Sequence, residues 1–260
     1  KMKNQTTEKF KLGDLELSSR LLVGTAMFPN QQTMLNAIQA SGSDFVTVSI
    51  RRTSLNKYQE SPIDLLKDYN ILPNTAGCET VKDVILTAQL ARESLETNWI
   101  KLELIACRQT LYPDVENLVQ VAEELVKDNF NVLPYCTDDP IICQKLADVG
   151  CVGVMPLGAP IGTGLGICNP YNIELICKKS SVPVILDAGI GTPSDATRAM
   201  ELGCSGVLLN TAISKSQNPV LMAEAFKDAV NAGYKAQKSG RMAKKFHSEA
   251  SSPQMGLIGG

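Results

Sequence analysis

One local pattern recurs along this chain: an amphipathic helix, a glycine, then a short apolar strand. "ASGSDFVTVSI" (40–50), "DVGCVGVMPLG" (148–158) and "ELGCSGVLLNT" (201–211) all carry it. The glycine suits the left-handed position just past a helix end. Strands rich in Val, Ile and Leu with little alternation are buried on both faces, as in parallel sheets. The helices also open on a common signal. "DPIIC" (139–143), "NPYNI" (169–173), "TPSDA" (192–196) and "NPVLM" (218–222) each place Asp, Asn or Thr at the N-cap and Pro at the first helical position. Strands are expected near Leu21–Gly24, Phe45–Ile50, Ile71–Pro73, Trp99–Leu104, Val132–Tyr135, Gly153–Met155, Val184–Asp187 and Gly206–Leu209, with helices between them and after the last. Alternation of strand and helix means a parallel sheet. Eight such units in 260 residues favour an α/β fold of the (β/α)8 TIM-barrel kind, whose usual length is about 250 residues. With no linker in sight, the expectation is one domain: a flexible N-terminus (1–9), the barrel (10–236) and a loosely ordered tail (237–260).

Charge and cysteine usage narrow the classes. A net charge of −2 gives no electrostatic footprint for nucleic acid, and no apolar run approaches a membrane span. The polar, lysine-rich N-terminus has no signal core. With no transit peptide visible, the expected location is the cytoplasm, or the plastid stroma for a plastid-encoded chain. Eight cysteines form no C-x-x-C pair, so zinc-ribbon and thioredoxin readings fail. Reduced, buried thiols behaving as small hydrophobes are expected instead. A lone histidine, His247, argues against a His-based triad or metal site.

The chemistry begins at "NWIKLELI" (98–105). Successive side chains on a strand face opposite ways, so Ile100, Leu102 and Leu104 share one face and Lys101 and Glu103 the other, about 6.5 Å apart. Two inward charges cost free energy unless they are paired or used. Barrel active sites lie at the C-terminal ends of the strands, where Asp187 also falls, in "VILDAGIGTP". Desolvation is expected to lower the lysine pKa, although an ionised Glu103 beside it would raise it. A neutral amine can form an imine with a ketone, with Glu103 and Asp187 moving protons. A structural Lys101–Glu103 pair that only fills the barrel is the alternative.

A second constellation is glycine-rich. "PLGAPIGTGLGICNP" (156–170) is neither G-x-G-x-x-G nor a Walker loop, yet its backbone N–H groups suit an anion. "AGIGTPSDA" follows the seventh strand and feeds a helix N-terminus; "NTAIS" follows the eighth. Barrels often bind phosphate at these two loops, so Ala188, Gly189, Asn210 and Thr211 are the candidates. Arg51 and Arg52, after the second strand, offer an anion contact or an ion pair, and the sequence does not rank them.

Long runs of the chain are similar to a known family. "SSRLLVGT", "VTVSIRR", "LPNTAGC", "IKLELI", "VLPYCTDDP", "VMPLGAPIGTGLGICNPYNI", "PVILDAGIGTPSDATRAMELGCSGVLLNTAI" and "ASSP" occur in order from about residue 18 to 253. They resemble thiazole synthase, the barrel enzyme of bacterial and plastid thiamine biosynthesis. The resemblance implies condensation of 1-deoxy-D-xylulose 5-phosphate, dehydroglycine (2-iminoacetate) and sulfur into the thiazole phosphate carboxylate. The sulfur would come from the C-terminal thiocarboxylate of a small ubiquitin-like sulfur carrier protein. It implies an imine on Lys101, acid–base work by Glu103 and Asp187, and sugar-phosphate contacts at Gly162, Ala188, Gly189, Asn210 and Thr211. No metal or organic cofactor is required, and the assembly is expected to be a homotetramer.

Two stretches depart from the family. Ala26 and Met27 stand where Gly and Lys are usual, and Gln109-Thr110-Leu111-Tyr112-Pro113-Asp114 where "KTLLPD" is frequent. The terminal Gly259-Gly260 looks like a carrier tail, but no ubiquitin-like domain accompanies it. The residues taken without the resemblance fit a Schiff-base aldolase or isomerase of sugar phosphates equally well, and a non-catalytic phosphate-binding barrel is the second alternative.

Overall fold

The computed structural model of the chain describes residues 9–50 and 63–252. Arg51 and Arg52, residues 1–8 and the Gly259-Gly260 tail lie outside these. A short antiparallel hairpin comes first, β1 (Phe10–Leu12) and β2 (Leu15–Leu17). The barrel strands follow: β3 (Leu21–Gly24), β4 (Phe45–Ser49), β5 (Asn70–Asn74), β6 (Trp99–Leu102), β7 (Asn131–Cys136), β8 (Met155–Pro156), β9 (Ile185–Asp187) and β10 (Gly206–Leu209). The helices are α1 (Gln31–Ser41), α2 (Val81–Leu95), α3 (Val115–Lys127), α4 (Pro140–Asp148), α5 (Pro170–Lys179), α6 (Pro193–Glu201), α7 (Thr211–Ser214) and α8 (Pro219–Ser239). Between β4 and β5 the described residues hold only a 3-10 turn, Asp64–Leu66.

All barrel strands run parallel, in the order β8-β7-β6-β5-β4-β3-β10-β9. Parallel bridges Val154–Val184 and Leu157–Asp187 join the two ends, so the sheet closes into the expected (β/α)8 barrel. The N-cap reading of the four X-Pro starts holds: Asp139, Asn169, Thr192 and Asn218 precede helices that begin on proline. At the other end α8 runs to Ser239 and stops at Gly240, three residues past the boundary expected at 236, and residues 241–252 add no helix or strand.

Strand facing decides where the chemistry can sit. Ile100, Leu102 and Leu104 point outward into the layer shared with the helices. Inside, each strand contributes one large apolar residue to a lower layer: Leu22, Phe45, Leu72, Trp99, Leu133, Met155, Ile185 and Leu208. Phe45 and Trp99 meet edge to face with centroids 5.2 Å apart. Phe10, Leu12 and Leu17 of the hairpin pack against this layer and stopper the N-terminal end of the barrel. The hairpin was not anticipated, although "LGDL" carries its signal. Gly13-Asp14 is a two-residue loop between short apolar runs, and Gly13 takes a positive φ of 56°.

Two residues further along each strand the next inward layer is Gly24, Thr47, Asn74, Lys101, Tyr135, Leu157, Asp187 and Asn210. The interior therefore changes from hydrocarbon to polar in one step, toward the C-terminal ends. Most expected strand bounds lie within one residue of those observed, and two shift by two residues at one end for local reasons. The sixth begins at Met155, because Val154 makes only the isolated closing bridge. The fourth ends at Leu102, two residues early, because a side chain rather than a strand pairs with Glu103.

Five cysteines are buried (Cys78, Cys136, Cys143, Cys151, Cys204) and all eight are free thiols, which fits the small-hydrophobe reading. Cys168 is exposed. No helix among the described residues is long and apolar enough to cross a membrane.

Candidate active site

The polar layer opens into a cavity of about 250 Å³ at the C-terminal mouth. Its wall holds Lys101, Glu103 and Asp187 together with Gly162, Ala188, Gly189, Asn210 and Thr211, so the structure gathers these eight candidates in one place. Ala26 and Met27, one of the two departures, line the same cavity, while Gln109 does not. Thr25, Thr47, Ser49 and Asn74 also line it and were not singled out. Three of them share a signal of position: Thr25, Ser49 and Asn74 are short polar residues at or just past the end of a strand, while Thr47 lies mid-strand on the inward face of β4.

Lys101 is the centre of the charge pattern. Its Nζ lies 2.6 Å from Asp187 Oδ2 and 3.2 Å from Glu103 Oε1. The three residues are only 6, 4 and 7% exposed for Lys101, Asp187 and Glu103, so the pairing takes place away from bulk water. Burial by itself pulls the Lys101 ammonium toward neutrality and is the largest single influence. The charges of Asp187 and Glu103, with hydrogen bonds from the ammonium to both, together outweigh it and hold Lys101 above its ordinary value. The expected lowering by desolvation is thus reversed in the unliganded barrel: the neighbouring carboxylates win. Burial pushes the Asp187 carboxyl up, against the pull of Lys101, and the charge of Glu103 adds to the push. One ammonium facing two carboxylates leaves a buried negative charge in excess, and the strain of that excess falls on Asp187.

A pH prediction follows from these directions. A lysine held above 10.5 contributes stability that is fully present below 10.5 and is lost only as pH rises through its higher folded value. Thermal melts of the wild type between pH 6 and 9 should therefore show no loss from the titration of Lys101. Lys101→Met leaves Asp187 buried without its counter-charge, and its carboxyl, already raised by burial, then favours the protonated form still more. A carboxyl raised on folding contributes stability at low pH that disappears as pH rises. The variant should melt higher at pH 5 than at pH 8. An unchanged or opposite trend would show that the three groups do not share one buried field.

The glycine-rich loops divide by role. A Cβ on Gly158 would lie 2.8 Å from the Gly166 carbonyl, and one on Gly166 would lie 2.7 Å from Asp195 Oδ1. A Cβ on Gly191 would lie 2.6 Å from the Gly164 carbonyl. These glycines let the loops after β8 and β9 press together, which is a packing role. Gly162 differs: its φ is +78°, nothing crowds it, and it lines the cavity. Ala188 and Gly189 both have positive φ, 64° and 82°, so the chain turns sharply at the end of β9.

The helix after this turn behaves differently from expectation. The backbone N–H groups of Gly191 and Thr192 donate to Asp195 Oδ2 at 3.0 Å each, so α6 caps itself and stays outside the cavity wall. Asn210 and Thr211, where α7 starts, do reach the wall. A Cβ on Gly24 would sit 2.8 Å from Asn210 Cβ, so Gly24 makes room for this side chain. Asn210 Oδ1 is buried with no hydrogen-bond partner among the described residues. Among the described lining residues Lys101 is the one basic side chain, so an anion here would depend on backbone N–H groups, hydroxyls and the asparagine amide.

Comparison with known proteins identifies the family. The family model described as thiazole biosynthesis protein ThiG matches residues 11–253. A thiazole synthase of Azorhizobium caulinodans is 63% identical over 243 residues, covering 93% of this chain and 91% of the relative. One from a Methylobacterium species is 54% identical, covering 94% and 92%. Among solved structures, the Amycolatopsis orientalis BexX/CysO complex superposes with a TM-score of 0.81 at 28% identity, covering 92% of this chain and 99% of that one. A match of this identity along nearly the whole chain, on a barrel with this polar mouth, places the chain in the ThiG family of thiazole synthases, enzymes of thiamine biosynthesis.

Proposed function

We propose that the chain condenses 1-deoxy-D-xylulose 5-phosphate, dehydroglycine and the sulfur of a carrier-protein thiocarboxylate into the thiazole phosphate carboxylate, through an imine on Lys101. The observation that carries this reading is the buried contact of Lys101 Nζ with Asp187 Oδ2 at 2.6 Å and Glu103 Oε1 at 3.2 Å, at the floor of a closed-ended cavity. An ammonium is not a nucleophile, so the lysine must first lose a proton. Asp187 is in contact with it and is already pushed toward the protonated form, so it is the base that takes that proton. A bound substrate that fills the cavity and excludes water favours the transfer, because it replaces a buried ion pair with two neutral groups.

The free amine then attacks the ketone carbon. Protonated Asp187 returns its proton to the carbinolamine oxygen, which leaves as water. The imine acidifies the adjacent carbon, and Glu103, 3.2 Å from Nζ, moves the proton that lets the carbonyl migrate. The thiocarboxylate sulfur adds to the new ketone carbon, its acyl group passes to the former ketone oxygen, and the carrier leaves as its carboxylate with the sulfur left on the sugar carbon. The dehydroglycine nitrogen then takes the place of Lys101, freeing the amine, and the sulfur adds to the dehydroglycine carbon to close the ring. Gly162, Ala188, Gly189, Asn210 and Thr211 would hold the sugar phosphate at the opposite rim.

The Amycolatopsis orientalis chain that shares this fold was solved as a BexX/CysO complex, which supports a docked carrier protein here. Leu86 and Leu90, exposed and one turn apart on α2, suit a contact between subunits of the proposed homotetramer. Sedimentation should then give a tetramer, and a lone monomer at micromolar concentration would contradict it. Free buried thiols are in keeping with a reducing compartment such as the cytoplasm.

The test is a comparison of sulfur donors. Enzyme, ketose phosphate and dehydroglycine should yield the thiazole when the carrier ends in a thiocarboxylate and none when it ends in a carboxylate. Carbon–carbon cleavage of the ketose phosphate without any carrier would instead point to an aldolase.

A further inference from the structure

The barrel ladder fails next to its central lysine, and one side chain repairs it. β5 and β6 pair through a single register, Asn74 opposite Lys101. β5 ends at Asn74 and β6 at Leu102, so Glu103 has no strand beside it on that edge. A buried residue still needs partners for both its backbone groups. The Thr75 hydroxyl supplies both: Glu103 N–H donates to Thr75 Oγ1 at 2.7 Å, and Thr75 Oγ1 donates to the Glu103 carbonyl at 2.7 Å. The Thr75 backbone N–H donates to the Lys101 carbonyl at 3.1 Å. One residue thus clamps both members of the lysine–carboxylate pair. Thr75 is itself fully buried and lies behind the cavity wall, between Asn74 and Ala76, which do line it.

We infer that Thr75 is a positioning residue: its hydroxyl takes the place of a strand and sets where Glu103, and with it the carboxylate beside Lys101, stands against the bound ketose phosphate. This rests on the imine reading of the site. The fold makes the device necessary at this point. The chain must leave the β5 ladder to form the loop from Thr75 to Cys78, where Cys78 N–H donates back to the Thr75 carbonyl, while Glu103 must stay in register to face inward. A serine could make the same two bonds with a looser rotamer. Valine matches the shape and offers neither.

The test measures kcat and KM for Thr75→Val, Thr75→Ala and Thr75→Ser beside Lys101→Ala. Misplacing a proton-transfer group by about 1 Å costs on the order of 100-fold. Thr75→Val and Thr75→Ala are expected to lose about 10- to 100-fold in kcat with KM for the ketose phosphate within about twofold of wild type. Thr75→Ser is expected to restore kcat to within about threefold. The alanine variant guards against a valine variant that does not fold, since it removes the hydroxyl without adding bulk. A purely structural threonine would give folded variants with lowered melting temperature and unchanged kcat, and that result overturns the inference. Equal deficits in Thr75→Ser and Thr75→Val would overturn it too, since the hydroxyl would then not be the active feature. Lys101→Ala separates the two levels of the argument. Activity surviving in Lys101→Ala rejects the imine reading. An inactive Lys101→Ala with normal kcat in Thr75→Ala rejects only the role of Thr75.

Discussion

Lys101→Ala is expected to lower kcat/KM for thiazole formation by about 10⁴-fold or more, the scale seen when a covalent nucleophile is deleted. The loss follows from chemistry that no neighbour can supply. Among the described residues lining the cavity, no second amine is available to form the imine. Lys101→Met sharpens the point, since it keeps much of the lysine's bulk in the polar layer while removing the amine. If the buried ion pair were there only to fill the barrel, Lys101→Met would cost about 3–5 kcal/mol of stability, as removal of one partner of a buried pair does, but would leave the chemistry of the folded protein intact. Activity would then survive. The account predicts that both variants fold and neither turns over. Glu103 and Asp187 remain in place in each, so proton-transfer groups without the amine should form no product.

Gly189→Ala is the second large effect, and it falls on stability. At φ +82° an added Cβ enters the left-handed region, which costs about 1–2 kcal/mol for an L side chain. The same Cβ would lie 2.3 Å from the Ala159 backbone nitrogen, a contact that backbone on both sides must move to relieve. Forced repacking of this kind adds about 1–3 kcal/mol. A combined loss of roughly 2–5 kcal/mol lowers the melting temperature by about 5–15 °C in a domain of this size. The residues that must move, Leu157 to Ala159, close the barrel onto β9 beside Asp187. Activity should therefore fall with stability. Ala188, at φ 64°, already bears a left-handed turn, so Ala188→Gly should leave the unfolding free energy within about 1 kcal/mol of wild type by denaturant titration. The contrast between adjacent residues distinguishes backbone approach from loop flexibility. Equal tolerance at both positions would contradict it.

Much of the architecture was legible because its signals are local. Pro after Asp, Asn or Thr marks four helix starts, and Gly before an apolar run marks strand entries. The facing of Lys101 and Glu103 followed from the two-residue period of a strand, and Ile100, Leu102 and Leu104 lie on the helix side as that period requires. What stayed hidden depends on contacts distant in sequence. The sign of the Lys101 shift could not be settled, because Asp187 stands 86 positions away and its 2.6 Å approach is set by barrel closure. The short reach of β6 depends on Thr75, 28 residues earlier. The self-capping of α6 by Asp195 was readable in "TPSDA", an N-cap Thr with an acidic residue three positions on, but the loop was read for phosphate instead. The hairpin plug was missed because its strands have only three residues each, too few for periodicity to show.

The central claim is that Lys101 is buried among carboxylates in order to react. The direct measurement is to incubate the protein with 1-deoxy-D-xylulose 5-phosphate, reduce with borohydride, and locate the added mass by peptide mass spectrometry. A single reduced adduct on Lys101, absent from Lys101→Ala, is the predicted result. No adduct on any lysine, from protein that binds the ketose phosphate, would contradict it and leave Lys101, Glu103 and Asp187 as a structural ion cluster.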